Sequence, residues 1–306
     1  MKRIFVSGGA GFVGSNVCDY LLAKGYDVMA VDNFSTGKLE NLADFCKNGG
    51  SIVNADIRDH DGMIQLFMKF RPDAVIHLAA QASISTSISN PVQDVSINCI
   101  GTLSIIRACQ KFNVEKFIFS STSAVYAETN RPLYESSEIA PMSPYGVSKY
   151  ASELYIKSML KNYIIFRFAN IYGPRQQPIG TNQLLARAIR HFKYGDDFSI
   201  FGDGKQARDY LYVDDVSRAM HMALTDGITG TFNLSSGVST SVNDVLGIVE
   251  EVYDVVGYPW PHSQQKDLRE CVRINSHAVK MALDWRPDCS LVTGIRCLKQ
   301  WWDMQI

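Results

Sequence analysis

The segment Ser7-Gly8-Gly9-Ala10-Gly11-Phe12-Val13-Gly14-Ser15-Asn16 constrains this chain more than any other. It follows the apolar run Ile4-Phe5-Val6 and opens a stretch of helical period. Gly8, Gly11 and Gly14 stand at i, i+3 and i+6. Glycine at these points permits a tight strand-to-helix turn, close approach of the backbone to an anion and close packing of the helix. Eighteen residues beyond Gly14, a second β-rich run ends in Asp32. A strand, a glycine turn, a helix and an acid closing the next strand together mark a dinucleotide-binding βαβ unit, with the phosphates at the helix N-terminus and the acid on a ribose. A carboxylate at Asp32 repels a 2′-phosphate, and Asn33-Phe34-Ser35-Thr36-Gly37 holds no arginine to accept one; the nearest cation is Lys38. The expected cofactor is therefore NAD rather than NADP.

The rest of the first half repeats the pattern. Short β-branched runs (Val28 to Val31, Ile52 to Asn54, Ala74 to Leu78, Phe117 to Ser120 and Ile164 to Phe168) alternate with helical stretches, which predicts a parallel sheet. Strands as uniformly apolar as Ala74-Val75-Ile76-His77-Leu78 suit a sheet covered on both faces, a doubly wound α/β fold. After about Gly173 loops rich in Gly, Pro and Gln replace the regular alternation. We expect two units in the 306 residues: 1–172 as the dinucleotide-binding domain, with some later segments returning to it, and 173–306 as mainly a smaller substrate-binding lobe. A net charge of −1 gives no basic field for nucleic acid or an anionic membrane, so an anionic ligand must be held locally. No apolar run reaches the roughly 20 residues of a membrane span, and Ser7-Gly8-Gly9 interrupts the N-terminal apolar run too early for a signal peptide; a cytoplasmic location is expected. The seven cysteines are never closer than eight positions, which excludes C-x-x-C metal spacing and reads as reduced, mostly buried thiols.

A candidate catalytic pair lies in Ser143-Pro144-Tyr145-Gly146-Val147-Ser148-Lys149, where Tyr145 and Lys149 share a helix face at i and i+4. An ammonium beside a phenol favours the phenolate and would lower its pKa, fitting tyrosine to act as a general base. Tyr20 and Lys24 have the same spacing but read as surface packing on the first helix. Tyr145 and Lys149 differ in following Phe119-Ser120-Ser121-Thr122-Ser123, a hydroxyl cluster at a strand end that can bind a substrate oxygen. His77, without a partner at ligand spacing, reads as a packed strand histidine. Asp214 and Asp215 read as caps of a helix from Val216 to Leu224, and Trp301 and Trp302 as cover for core surface.

With these residues in place, the chain resembles the extended short-chain dehydrogenase/reductases, and within them the nucleotide-sugar 4-epimerases. The similarity runs nearly end to end. It includes the glycine motif, Asp56-Ile57-Arg58-Asp59, His77-Leu78-Ala79-Ala80-Gln81, Ser120 to Tyr126, the Tyr145/Lys149 pair, Asn170-Ile171-Tyr172-Gly173-Pro174-Arg175, Arg208 to Asp215 and Leu283-Asp284-Trp285-Arg286-Pro287. The resemblance implies a Rossmann-type sheet with NAD held by Gly8, Gly11, Phe12, Val13, Gly14, Asp32, Asn33, Ser35, Thr36, Gly37, Asp56, Ile57, Leu78, Ala79, Ala80, Gln81, Asn98, Ser120, Tyr145, Lys149 and Phe168. It makes Thr122 the catalytic hydroxyl beside Tyr145 and Lys149. It places Ser83, Thr122, Asn170, Phe201, Arg208 and Arg269 on the substrate, a UDP-hexose. No metal is implied. The helices at Val92 to Lys111 and Tyr145 to Leu160 match those that build a homodimer interface in such proteins.

The resemblance also separates the reactions. Related 4,6-dehydratases carry an Asp-Glu pair after the threonine, where this chain has Ser123 and Ala124, neither able to transfer the required protons. Uronate epimerases and decarboxylases need a cation for the sugar carboxylate, often an arginine after Ala-Ala-Gln; here Ser83-Ile84-Ser85-Thr86-Ser87 stands, which favours a neutral hexose. A non-enzymatic dinucleotide sensor would typically lack the tyrosine or lysine. The expected activity is C4 epimerisation through a 4-keto sugar.

Overall fold

The computed structural model describes residues 2–178, 183–225, 227–264 and 272–304. In chain order the strands are β1 (Arg3–Ser7), β2 (Asp27–Asp32), β3 (Ser51–Asn54), β4 (Ala74–His77), β5 (Lys116–Thr122), β6 (Tyr163–Phe168), β7 (Asn170–Tyr172), β8 (Ile200–Phe201), β9 (Ala207–Tyr212), β10 (Gly230–Leu234), β11 (Ser239–Ser241) and β12 (His262–Ser263). The α-helices are α1 (Phe12–Ala23), α2 (Ala43–Lys47), α3 (His60–Phe70), α4 (Ile84–Ser89), α5 (Pro91–Val95), α6 (Thr102–Phe112), α7 (Pro144–Met159), α8 (Leu184–Tyr194), α9 (Val213–Met222), α10 (Val242–Val252), α11 (His277–Leu283) and α12 (Leu291–Asp303).

Seven strands form one sheet in the order β10-β6-β5-β4-β1-β2-β3, and every neighbouring pair is parallel. The uniformly apolar strands serve two cores at once. Ile4, Val6, Ile76, Ile118 and Ile164 pack on one face against Val17 and Leu21 of α1 and Val216 and Met220 of α9. Phe5, Val75, Phe117, Phe119 and Ile165 pack on the other against Met63 and Phe67 of α3, Ile105 and Ile106 of α6 and Ile156 of α7. Alternation of side chains across the sheet makes this division automatic. The chain runs outward from β1 to β2 and β3, then crosses back to put β4 on the other side of β1. That reversal opens a crevice beyond the C-terminal ends of β1 and β4, where open parallel sheets bind ligands.

After Tyr172 the chain builds a three-stranded sheet, β11-β9-β7, and the short parallel pair β8 and β12. Here α8, α10 and α12 enclose a third core containing Tyr172, Leu185, Tyr210, Val249, Leu298 and Trp302. Later segments return to the central sheet: β10 pairs with β6, and α9 and α11 pack on one of its faces.

One local expectation is refined and one corrected. The helix expected from Val92 to Lys111 runs unbroken from α5 into α6, with a run of π-helical turns at Ser96–Gly101 in its middle. The Asn98 carbonyl accepts from the hydroxyls of Thr102 (2.5 Å) and Ser152 (2.8 Å), and such side-chain competition widens a helix. Asp214 and Asp215 do not cap α9, which already begins at Val213. Asp215 instead accepts from the backbone N–H groups of Asp288 and Cys289 and binds Arg218, tying the segment after Trp285 to α9. Of the six described cysteines, all free thiols, Cys18, Cys99 and Cys109 are buried. Among the described residues no helix is long and apolar enough to cross a membrane, and no His, Cys, Asp and Glu side chains cluster as metal ligands do.

Candidate active site

The glycine turn forms one wall of the crevice. Gly8 has φ +71°, and a Cβ there would lie 2.6 Å from the Ala79 nitrogen; a Cβ on Gly14 would lie 1.9 Å from the Gly8 carbonyl oxygen. Gly11 is the N-cap of α1, so no side chain caps the N–H groups of Phe12 and Val13, and the first turn holds no acid. An uncapped helix N-terminus against a side-chain-free turn fits a pyrophosphate. At the end of β2, the buried Asp32 accepts from the N–H of Ala10 (3.0 Å) and of Phe34 (2.8 Å), one to each oxygen, leaving each oxygen a lone pair for a ribose hydroxyl. Gly37 packs on this carboxylate, where a Cβ would meet Asp32 Oδ2 at 2.9 Å. Asn33 accepts from Ser35 N–H and donates to Asp56, and Thr36 is exposed beyond them. Arg58 closes its guanidinium on Asp56, whose carboxyl it holds well below the usual range. A cation already committed to Asp56 leaves Asp32 to decide the preference for the ribose. Ile57, next in sequence, is buried against Gly101.

The opposite wall begins where β4 ends. Leu78 donates to the Ser7 carbonyl, and Ala79 lies against Gly8, so Leu78-Ala79-Ala80-Gln81 follows the glycine turn across the crevice. Gln81 is held by Asn98, which accepts from its N–H (2.9 Å) and donates to its carbonyl (3.1 Å); Asn98 also donates to the Ser148 hydroxyl on α7 (3.0 Å). His77 behind them is saturated. Ser7 Oγ lies 2.6 Å from its Nδ1 and Thr102 Oγ1 lies 2.9 Å from its Nε2, while burial drops its pKa to about 3, so it is a neutral packed histidine. Ser120 lies on β5, donating to the His77 carbonyl, and Phe168 ends β6 in register with Thr122.

Thr122 closes β5 and caps a short turn, accepting from Ala124 N–H (3.1 Å). α7 starts beside it, with Ser143 accepting from Gly146 N–H (3.1 Å). A Cβ on Gly146 would stand 2.5 Å from the Ala124 carbonyl oxygen, so glycine lets α7 approach the strand end closely. That approach brings the Tyr145 phenol beside Thr122. Lys149, one turn on, is buried with its Nζ 4.0 Å over the Phe119 ring. Sequence alone implies that this ammonium lowers the phenol's pKa. In the structure burial outweighs every other influence: the Tyr145 phenol is pushed up to about 12, opposed by the neighbouring Thr122 hydroxyl, and Lys149 is pulled down to about 7, opposed first by the Glu153 carboxylate. Glu153 escaped the sequence reading, although it follows Lys149 at i+4. Buried and bonded to Arg167 of β6 and to the Ser121 hydroxyl, it bolts α7 to the sheet. The Tyr20/Lys24 pair lies on α1, Lys24 over the Tyr20 ring at 5.3 Å, as surface packing requires.

Asn170 on β7, Phe201 on β8 and Arg208 on β9 line one cleft, together with Arg187, Gln206 and Tyr210, which the sequence reading missed. The signal for Tyr210 was its spacing two residues beyond Arg208 on one strand face; Arg187 comes from α8 and had none. Ser83 caps α4, accepting from Thr86 N–H. Arg269 lies outside the described residues.

Comparison with known proteins places this geometry. Residues 4–235 match the model of the "NAD dependent epimerase/dehydratase family". A putative UDP-glucose 4-epimerase of Methanocaldococcus jannaschii is 38% identical, covering 97% of each chain. The crystal structure of a UDP-glucose 4-epimerase of Thermotoga maritima with UDP-glucose superposes with a TM-score of 0.92 at 37% identity, covering 99% of both chains. That of a Thermus thermophilus UDP-glucose 4-epimerase in complex with NAD gives 0.91 at 33%, covering 99% and 100%. With a Rossmann-type sheet, an uncapped glycine turn and a Thr-Tyr-Lys group at its C-terminal edge, this chain belongs to the NAD dependent epimerase/dehydratase family.

Proposed function

We propose that the protein interconverts the C4 epimers of a UDP-hexose, UDP-glucose and UDP-galactose or their N-acetyl counterparts, through a 4-keto sugar. The observation that carries this reading is Thr122 closing β5 beside the start of α7, which carries Tyr145, with Ser123 and Ala124 the residues that follow it. The pair can move one proton at one oxygen; Ser123 and Ala124, directly after Thr122, supply neither the acid nor the base of the elimination that a dehydratase performs. The likeness to UDP-glucose 4-epimerases over nearly the whole chain supports it.

The dinucleotide is assigned to the Gly8–Gly14 turn, Asp32 and the Leu78–Gln81 wall, and when bound it supplies a reversible hydride acceptor. Tyr145 takes the proton from the sugar 4-hydroxyl as the ketone forms and returns it when the ketone is reduced on its other face. Thr122 holds the same oxygen. Lys149, in its charged form, favours the phenolate. Arg208 and Asn170 are assigned to the diphosphate and Phe201 to the nucleotide, an anchor that stays in place while the sugar turns over. Incubating the protein with each of the four UDP-sugars, without added oxidant or reductant, and resolving the products by chromatography tests this directly. Conversion within an epimer pair supports the proposal; a 4-keto-6-deoxy product would replace it with dehydration.

Two further expectations arise here. Asp32 and the closed Arg58–Asp56 pair predict that NAD binds at least about tenfold more tightly than NADP in a calorimetric titration, the 2′-phosphate meeting an unpaired carboxylate; equal affinities would contradict the assignment. Val92 (79% exposed), Val95 and Ile100 lie outside the crevice, as do Val147, Leu154 and Tyr155 of α7. α5 packs on α7, so this apolar surface suits a second copy of the chain. Light scattering should give twice 34.1 kDa; the monomer mass would contradict a homodimer.

A further inference from the structure

One level below Thr122 the central sheet carries a row of polar side chains. Ser121 of β5 is in register with Arg167 of β6, and Arg167 with Asn233 of β10. All three are buried, Asn233 at 0% exposure. On β5 and β6 the residues two places back, Phe119 and Ile165, belong to the apolar core under α7, so alternation turns the row toward that helix. A buried polar row costs free energy unless its members are paired, and fully paired it holds one geometry.

Glu153 joins α7 to Ser121 and Arg167. The Arg167 guanidinium lies over the Tyr126 ring, 4.8 Å from its centre. Tyr126, fully buried, ends the short turn that Thr122 caps, and its phenol donates to Asn233 Oδ1 at 2.6 Å. Asn233 Nδ2 donates to the carbonyls of Leu133 (3.2 Å) and Asn275 (3.1 Å), and its backbone N–H, on the sheet edge, donates to Glu135 Oε1 (2.7 Å). Leu133 and the segment 272–275 are themselves tied: Leu133 N–H donates to the Arg273 carbonyl and Asn275 N–H to the Leu133 carbonyl, each at 2.9 Å. The far end of that segment hangs on β9, where Val272 N–H donates to the Ala207 carbonyl at 3.0 Å, immediately before Arg208. An unbroken series of contacts therefore runs from α7 and the Thr122 turn, through Asn233, to the strand that carries Arg208.

We propose that Asn233 is a positioning residue that sets the separation between the Thr122 and Tyr145 group and Arg208: the oxygen of its carboxamide holds Tyr126 at the end of the Thr122 turn, and the nitrogen holds Leu133 and the segment 272–275 beside β9. The inference rests on the reading that Tyr145 works at the sugar C4 while Arg208 holds the diphosphate. In an epimerisation the C4 oxygen must reach the same phenol with either face of the sugar presented, so the span from anchor to phenol has to be right twice. No single side chain other than Asn233 in this series bonds to both the Thr122 turn and the segment 272–275.

Two variants test the tie. Tyr126→Phe keeps the ring under Arg167 and removes one oxygen; Asn233→Ala removes the carboxamide. Amide hydrogen exchange needs no substrate: in Tyr126→Phe the N–H groups of Leu133 and Asn275 should exchange about fivefold faster relative to those of β1, the effect of one weakened hydrogen bond passed on through Asn233. In turnover, Tyr126→Phe should lower kcat at least about tenfold while the affinity for UDP alone stays as in wild type, because the anchor is intact and only its distance from the phenol is loosened. Adding Tyr126→Phe to Asn233→Ala should cost nothing further, since both cut the same tie. Exchange that speeds up equally at β1, or a kcat of the folded variant equal to that of wild type, would overturn the proposal and leave Asn233 a structural residue. If Asn233→Ala does not fold, Tyr126→Phe decides alone. A wild-type protein that converts no UDP-sugar would refute the epimerase reading instead, and the exchange measurement would still decide whether Asn233 holds the segment 272–275 to the Thr122 turn.

Discussion

Tyr145→Phe should lose about 10³-fold in turnover while still binding NAD, within the range measured for removal of a general acid–base group. The substitution deletes one oxygen and leaves the ring that packs where α7 meets the end of β5. The approach of α7 depends on Gly146 against Ala124 and on the Ser143 cap, neither of which involves the phenol. The proton carrier is lost and the framework is kept. Thr122 cannot replace it, since its own oxygen already accepts from Ala124 N–H and it has no buried base behind it comparable to Lys149. The check is a turnover assay on both UDP-hexose epimers beside a measurement of bound dinucleotide. Activity within tenfold of wild type would remove Tyr145 from the chemistry, and intact function in cells would favour a non-enzymatic sensor.

Gly14→Ala should reduce NAD affinity by at least about 100-fold, for a reason of space alone. Its Cβ would fall 1.9 Å from the Gly8 carbonyl oxygen and 2.8 Å from the Gly8 carbonyl carbon, and backbone cannot rotate aside as a side chain can. Relief requires α1 to move off the turn, which spoils the anion cradle at its N-terminus. Gly11→Ala, whose Cβ would meet the same oxygen at 3.2 Å, should cost less. Gly247→Ala is the control: it lies in α10 with nothing within 4 Å of the added carbon and should leave binding unchanged or add a few tenths of a kcal/mol to stability. Calorimetry on the three variants gives the order. Normal NAD binding by Gly14→Ala would place the cofactor elsewhere.

The fold was readable because its strands are short, β-branched and apolar on both faces. Ile4 to Val6 and Ala74 to Leu78 differ from β1 and β4 by one or two residues at their ends. The glycine turn was equally plain, since positions i, i+3 and i+6 are local. What periodicity could not give was any feature set by contacts between distant segments. The π-helical turns around Asn98 arise because hydroxyls from Thr102 and from Ser152 of α7 converge on one carbonyl. Asp215 looked like a cap because its true partners, Asp288 and Cys289, are more than seventy residues away. The direction of the Tyr145 shift was missed for a related reason: the i, i+4 spacing shows that Tyr145 and Lys149 are neighbours but says nothing of how little water reaches them. Arg187 and Gln206 enter the cleft lined by Asn170, Phe201 and Arg208 from a helix and a loop that carry no motif.

The most direct measurement is to incubate UDP-galactose with the protein in D2O, with no added oxidant or reductant, and to analyse the recovered sugars by chromatography and mass spectrometry. Epimerisation at C4 with return of the same hydride predicts UDP-glucose free of carbon-bound deuterium. A 4-keto-6-deoxy sugar carrying deuterium, or no conversion by a protein that retains NAD, would contradict it.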